Sequence, residues 1–197
     1  MLVNGTHYKT IWLEDYYTIQ VIDQRKLPFH FEIKSLKKVS DIYHSIREMI
    51  VRGAPLIGVT ASFGMYLAAL ESQGSNNWYA AMEEAGTYLK SSRPTAINLA
   101  FAVDQQLETV KQASSAEEGI QIARKTALEL SEKEIENCKN IGKYGIYLIR
   151  DLAREKNGNT INILTHYNAG WLACIDYGTA TAPIYLAHDE GINIHVW

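Results

Sequence analysis

Cysteine is scarce: the 197 residues hold only two, Cys138 and Cys174. With no metal-type or redox-type spacing between them, they exclude a disulfide-stapled secreted scaffold and fit a reducing cytoplasm. A basic surplus is lacking too, since 19 Lys and Arg against 22 Asp and Glu leave a net charge of −3. That argues against a nucleic-acid binder, which shows a basic face or stripe. The N-terminus has no basic-then-apolar signal pattern, and no uninterrupted apolar run approaches the ~18 residues of a membrane span. Internal repeats and low-complexity tracts are absent. What remains is ordinary globular composition, 47% apolar and 21% charged. The length suits one large domain or two small ones. The expectation is a soluble cytoplasmic protein with neither nucleic acid nor membrane as a partner.

The head of the chain carries short β-prone runs, Tyr8–Leu13, Tyr16–Ile22 and His30–Ile33, with a turn at Glu14-Asp15 and Pro28 ruling out a helix before the third. They predict a small antiparallel arm. From Ser40 the apolar period becomes helical: Ile42, Ile46, Met49 and Ile50 share a face, with Ser40 or Asp41 as cap and Gly53 as stop. Pro55 opens a second helix, Leu56 to Leu70, so apolar all round that it must be buried. Trp78–Leu89 predicts a third. Pro94 introduces a fourth from Thr95 to about Gln112, and Ser115-Ala116-Glu117-Glu118 resembles a capping box for a long helical segment to about Asn140. Ile141–Ala153 resumes the pattern across Gly142 and Gly145. The polar break at 154–159 divides the chain into residues 1–155, a β arm plus helical domain, and 156–197. The second part reads as strand Thr160–Thr165, a helical stretch Trp171–Ala187, and strand Asn193–Trp197. Parallel strands with a helical crossover make one βαβ unit, the start of a Rossmann-like domain that two strands leave incomplete. The fold class is therefore α/β, or α+β taken overall.

Three stretches carry candidate chemistry. Arg52-Gly53-Ala54-Pro55 puts a guanidinium at a helix junction beside free backbone N–H groups, which suits a phosphate, although a cation offsetting a helix dipole explains it as well. Ser92-Arg93-Pro94-Thr95 repeats the grammar, with Asn98 one turn further on. His166-Tyr167-Asn168-Ala169-Gly170 closes a strand where open α/β sheets place ligands. There Asn168 tolerates left-handed or capping geometry, and Ala169-Gly170 permits close approach to the backbone. Tyr177-Gly178-Thr179 predicts a bend between two helical pieces. The remaining histidines show no metal-site spacing, and Cys174 reads as a small buried hydrophobe. No metal or cofactor is expected.

Several of these motifs, in order, resemble the methylthioribose-1-phosphate isomerases of methionine salvage. The matching residues are Ile22-Asp23-Gln24-Arg25-Lys26-Leu27-Pro28, Ile50 through Gly58, Ser92 through Leu99, Asn162-Ile163-Leu164-Thr165-His166, Asn168-Ala169-Gly170 and Tyr177-Gly178-Thr179-Ala180. The likeness covers essentially the whole chain and only the first half or so of such an enzyme. It implies a β arm, a helical domain and a Rossmann-like domain, similar to regulatory subunits of the exchange factor for translation initiation factor 2. It also implies a homodimer, or completion by the missing C-terminal half.

By this resemblance Arg52 and Arg93, with Gly53 and Ala54, hold the phosphate of a phosphorylated pentose, and the 166–170 turn joins them in one site. One catalytic partner is then a Cys between the His and Asn of that turn, and the other an Asp beyond residue 197. Position 167 holds Tyr instead. Three readings follow: an isomerase of methylthioribose 1-phosphate, an isomerase of another pentose 1-phosphate, or a catalytically silent binding or regulatory homologue.

Overall fold

A computed structural model describes residues 1–197. Asn4 and Gly5, both with positive φ (50° and 81°), form the tight turn of a small hairpin between β1 (Leu2–Val3) and β2 (Thr6–His7). The expected arm follows as an antiparallel sheet of β3 (Ile11–Leu13), β4 (Ile19–Ile22) and β5 (Ile33–Leu36), with β4 central. Ile11, Ile19, Val21, Ile22 and Leu36 are fully buried. The third strand starts three residues later than expected because the chain after Pro28 is still turning, with the His30 N–H donating to Lys26 O at 3.0 Å.

Helix α1 spans Val39–Arg47, and Asp41 accepts hydrogen bonds from the Lys37 and Lys38 N–H groups at its start. It does not run to Gly53. Met49 takes a left-handed φ of 57°, and the Val51 N–H turns back onto Ser45 O, which sends Ile50 and Val51 into the core. Gly53 instead begins α2 (Ala54–Glu71), with φ of 103° and Pro55 in the first turn. By length and hydropathy α2 alone could cross a membrane, yet 78% of it is buried inside the protein. The α3 helix (Trp78–Ser91) is capped by the Asn77 side chain, which accepts from Ala80 N–H. Helix α4 (Ile97–Val110) begins after the expected Thr95, because residues 93–96 form a turn closed by Ala96 N–H to Arg93 O.

The long segment is one continuous helix, α5 (Ala116–Glu155). Ser115 Oγ accepts from Glu118 N–H, while the Glu118 carboxylate reaches back to Ser114 N–H at 2.7 Å, a capping box displaced by one residue. Strand β6 (Ile161–Ile163) pairs in parallel with β7 (Ile194–Val196), Asn162 opposite His195. Between them the expected long helix does not form. There is a single 3-10 turn, Trp171–Ala173, then irregular chain to Thr181, then α6 (Ala182–Asp189). Tyr177 and Gly178, at φ of 67° and 92°, break any helical run.

Contacts group the residues into two units, Thr10–Glu132, and Met1–Lys9 with Lys133–Trp197. In the first, the core is α2 packed on α1, α3 and α4. The buried Gln106 amide donates to Ser62 O, Ser62 Oγ and Ala123 O at 2.8–3.1 Å, which joins α2, α4 and α5. In the second, α5 lies on α6: Gly142 and Gly145 remove side chains where Ala182, Pro183 and Leu186 press in. Two interior glycines that weaken a helix by about 1 kcal/mol each are thereby explained. The bidentate Arg150–Glu190 pair (2.8 and 2.6 Å) and a cluster of Ile146, Ile149, Ile161 and Ala187 complete that interface. Ile141, Tyr144, Leu148 and Leu152, on the neighbouring face of α5, stay exposed.

Candidate functional site

In the unit Thr10–Glu132, Arg52 and Arg93 each stand in the loop before a helix. Gly53 is the residue that lets Arg52 precede α2 so closely, since φ of 103° is strained for any side chain. Neither Gly53 nor Ala96, the residues capping α2 and α4, offers a side-chain hydrogen bond. Both helices therefore present first-turn N–H groups with no capping side chain, the arrangement that binds anions.

Gly58 brings the two helices together. A Cβ at that position would lie 3.1 Å from Asn98 O and 3.3 Å from Asn98 Cβ, so the second turn of α2 rests on the first turn of α4. In the sequence Gly58 stands only as the end of the matching run Ile50–Gly58, a glycine one turn inside an apolar helix with no role assigned to it. Arg52 is exposed and Arg93 half-buried. Three of the five other arginines are ion-paired, Arg25 to Asp23 and Glu48, Arg150 to Glu190 and Arg154 to Asp151, while Arg47 reaches the Tyr43 hydroxyl. Arg52 and Arg93 are in no such pair.

In the unit Met1–Lys9 and Lys133–Trp197, the β6 strand runs on through Thr165, whose N–H donates to Trp197 O at 3.1 Å. Thr165 Oγ1 is buried with no hydrogen-bond partner. His166 and Asn168 are exposed, and the His166 ring lies 4.0 Å from that of Tyr167. The left-handed residue of the turn is Tyr167, at φ of 63° and 92% exposed, and not Asn168. A non-glycine residue held there costs about 1–2 kcal/mol, so the surrounding backbone must enforce it. Asn168 caps nothing; the residue entering the 3-10 turn is Gly170.

The enforcement comes from the Tyr177-Gly178-Thr179 bend. Gly178 bridges Gly170, and Ala169 O accepts from Thr179 N–H (2.9 Å), Thr181 Oγ1 (3.0 Å) and Thr179 Oγ1 (3.4 Å). A Cβ on Gly178 would meet Thr181 Oγ1, Gly170 C and Ala169 O at 2.6–2.8 Å, so only glycine fits. Tyr185 OH stands 3.3 Å from the position a Gly170 Cβ would take. Thr181 and Tyr185 were invisible as site residues because their roles arise from a fold-back of the chain.

Beside the bend, Asp176 is a buried carboxylate that accepts from the Met1 α-ammonium and from His7 Nε2, both at 2.7 Å. Burial pushes its pKa up, but the ammonium, His7 and the Tyr177 N–H outweigh it, and the net value falls below the usual carboxylate range. No group of three or more His, Cys, Asp or Glu side chains is placed to hold a metal ion.

Residues 50–197 match the model of the initiation factor 2 subunit family. The whole chain is 47% identical to a methylthioribose-1-phosphate isomerase of Desulfatibacillum aliphaticivorans and 46% identical to one of Sinorhizobium medicae, covering 54% and 53% of those proteins. Among solved structures, 97% of the chain aligns with 52% of the 5-methylthioribose 1-phosphate isomerase of Pyrococcus horikoshii (TM-score 0.84, 29% identity). In a second solved structure, the translation initiation factor eIF-2B delta subunit of A. fulgidus, 96% of the chain aligns with 54% of that protein (TM-score 0.82, 30% identity). The chain spans about half the length of the curated relatives it matches.

Proposed function

Because the chain belongs to the initiation factor 2 subunit family, we propose that it supplies binding machinery of an aldose–ketose isomerase, converting 5-methylthioribose 1-phosphate into 5-methylthioribulose 1-phosphate. The observation that carries this is the pair of uncapped helix starts joined at Gly58–Asn98, each preceded by an arginine with no acidic partner. In this reading Arg52 and Arg93, with the Gly53-Ala54 backbone, hold the sugar phosphate. Asn168, Ala169 and Gly170 contact the sugar.

An aldose carrying phosphate on its anomeric oxygen cannot open freely. Moving hydrogen from C2 to C1 requires an acid and a base, or hydride transfer, with water kept out. Tyr167, at the strand end, is the residue we assign to that step. Residues 156–197, with β6, α6 and β7, are read as the opening of a Rossmann-like domain following the arm and helical part in 1–155. The exposed stripe Ile141, Tyr144, Leu148 and Leu152 supports a covering layer, from a second copy or from the portion of the relatives this chain does not span. The compartment is taken to be the cytoplasm.

The test is turnover of methylthioribose 1-phosphate by the intact gene product, with titration calorimetry against the sugar with and without its phosphate. Arg52→Ala and Arg93→Ala should each weaken binding of the phosphorylated sugar at least tenfold and leave the dephosphorylated sugar unaffected. Absence of both turnover and binding of any phosphorylated pentose would overturn the reading. Tyr167, exposed and strained where the resemblance calls for Cys, favours a second reading as a binding homologue without catalysis. Tight binding without turnover would establish it.

A further inference from the structure

Cys138 and Cys174 are both in the reduced thiol form and both buried, at 1% exposure each. Cys138 lies on α5 and Cys174 directly after the 3-10 turn. With Ala173 and Tyr177 they form one packed cluster, and the two sulfurs share a hydrogen bond. Cys138 also lines two cavities. One, of about 250 Å³, is bounded by Lys139, Lys143 and Tyr177; the other, of about 560 Å³, is bounded by Glu134, Tyr144 and Thr179. Cys138 is thus shielded from bulk water and borders space on the side of α5 large enough for a small molecule.

We propose that Cys138 and Cys174 are an oxidisable dithiol, closed by hydrogen peroxide into an intramolecular disulfide. The Cys138 thiolate attacks one peroxide oxygen; the O–O bond breaks, and the leaving hydroxide takes the proton that the thiol gave up. This yields a sulfenic acid and one water. The Cys174 sulfur then attacks the Cys138 sulfur, the S–O bond breaks, and a second water departs with the Cys174 proton. Two thiols lose two hydrogens and one peroxide becomes two waters.

The order follows from the cavities: Cys138 borders both, and Cys174 borders neither. The hydrogen bond with Cys174, aided by the Gly178 N–H, holds the Cys138 thiol below its usual value against burial and the charges of Glu134 and Asp176. Cys174 is pushed up by the same bond, by burial, and by the charges of Cys138 and Glu134. A disulfide needs sulfurs about 2.05 Å apart. The segment from Cys174 to Thr181 has neither helix nor strand to resist that movement toward α5. It is also the segment that bridges Gly170 and bonds Ala169, so closing the disulfide pins the strand-end turn. None of this depends on the isomerase reading.

The native protein is treated with hydrogen peroxide, its remaining thiols are alkylated, and intact mass and non-reducing peptide maps are taken. The expected result is a loss of two hydrogens, one cross-linked peptide pair containing Cys138 and Cys174, and full reversal by dithiothreitol. Slowed hydrogen exchange at residues 169–179 should accompany it. In Cys174→Ala the Cys138 sulfenic acid should be trapped by dimedone, and in Cys138→Ala Cys174 should stay reduced. Reaction only after denaturation, cross-links between molecules, or overoxidation of one cysteine with the other left free would each overturn the proposal.

Discussion

Replacing Gly145 by Ala tests the close approach of α5 and α6 directly. A Cβ at Gly145 would stand 2.4 Å from Pro183 Cγ and 3.0 Å from Pro183 Cβ. A proline ring cannot swing aside, so the helices must separate. Overpacking of this kind costs about 1–3 kcal/mol. Against it stands a helix-propensity gain of about 0.5–1 kcal/mol for Ala over Gly. The net expectation is destabilisation by about 1–2 kcal/mol, or a fall in Tm of roughly 2–8 °C for a protein of this size.

Gly142→Ala is the internal control. Its Cβ would meet Leu186 Cδ1 at 3.0 Å and Ala182 Cβ at 3.3 Å, and a leucine methyl can move. There the propensity gain cancels the contact, and the change should stay within about 0.5 kcal/mol of zero. Thermal unfolding by circular dichroism measures both variants, and hydrogen exchange at residues 182–189 localises the loss to α6. Pro183→Ala should rescue Gly145→Ala in a double-mutant cycle. If Gly145→Ala is as stable as the parent, or Gly142→Ala is equally harmful, the reasoning about this interface is wrong.

Two further predictions concern the strand-end unit. Tyr167→Cys in the intact gene product should raise the rate of ketose formation at least tenfold, about 1.4 kcal/mol of barrier; a smaller change in a steady-state assay sinks the idea that residue 167 limits catalysis. Asp176→Asn should cost about 1.5–3 kcal/mol at neutral pH, the range for hydrogen bonds to a charged group. Because the folded Asp176 titrates below the usual carboxylate value, its contribution is fully present above a pH of about 5, where the unfolded carboxyl is almost wholly ionised. It is lost as the pH falls through the lower folded value. Parent and variant should therefore converge in acid denaturation profiles, and a gap that persists at pH 2 would refute the assignment.

Helix α2 was legible because an apolar run flanked by Pro55 and a polar linker has no other soluble solution than burial. The antiparallel arm, the phase of α5 and the parallel β6–β7 pair were legible from period and composition, since those signals are local. The ends of elements were not. Whether Met49 continues α1 or turns left-handed depends on where Ile50 and Val51 find a core, which is a tertiary matter. Trp171–Ala187 carries helical composition throughout, yet the Gly170–Gly178 bridge outcompetes a helix from Cys174 to Thr181.

By itself the sequence determined the order of the β3–β5 arm, helices α1 to α5 and the β6–β7 pair, the two arginine loops and the polar turn after β6, because each is written in neighbouring residues. Only the tertiary structure decided the rest. Gly58 joins the starts of α2 and α4, Gly142 and Gly145 seat α6, and Thr179 and Thr181 brace Ala169. Cys138 and Cys174, which show no spacing of interest along the chain, meet as a buried thiol pair. Close approach between distant segments leaves no period to read: its trace is a missing side chain or an isolated polar one, and neither names its partner until the chain has folded.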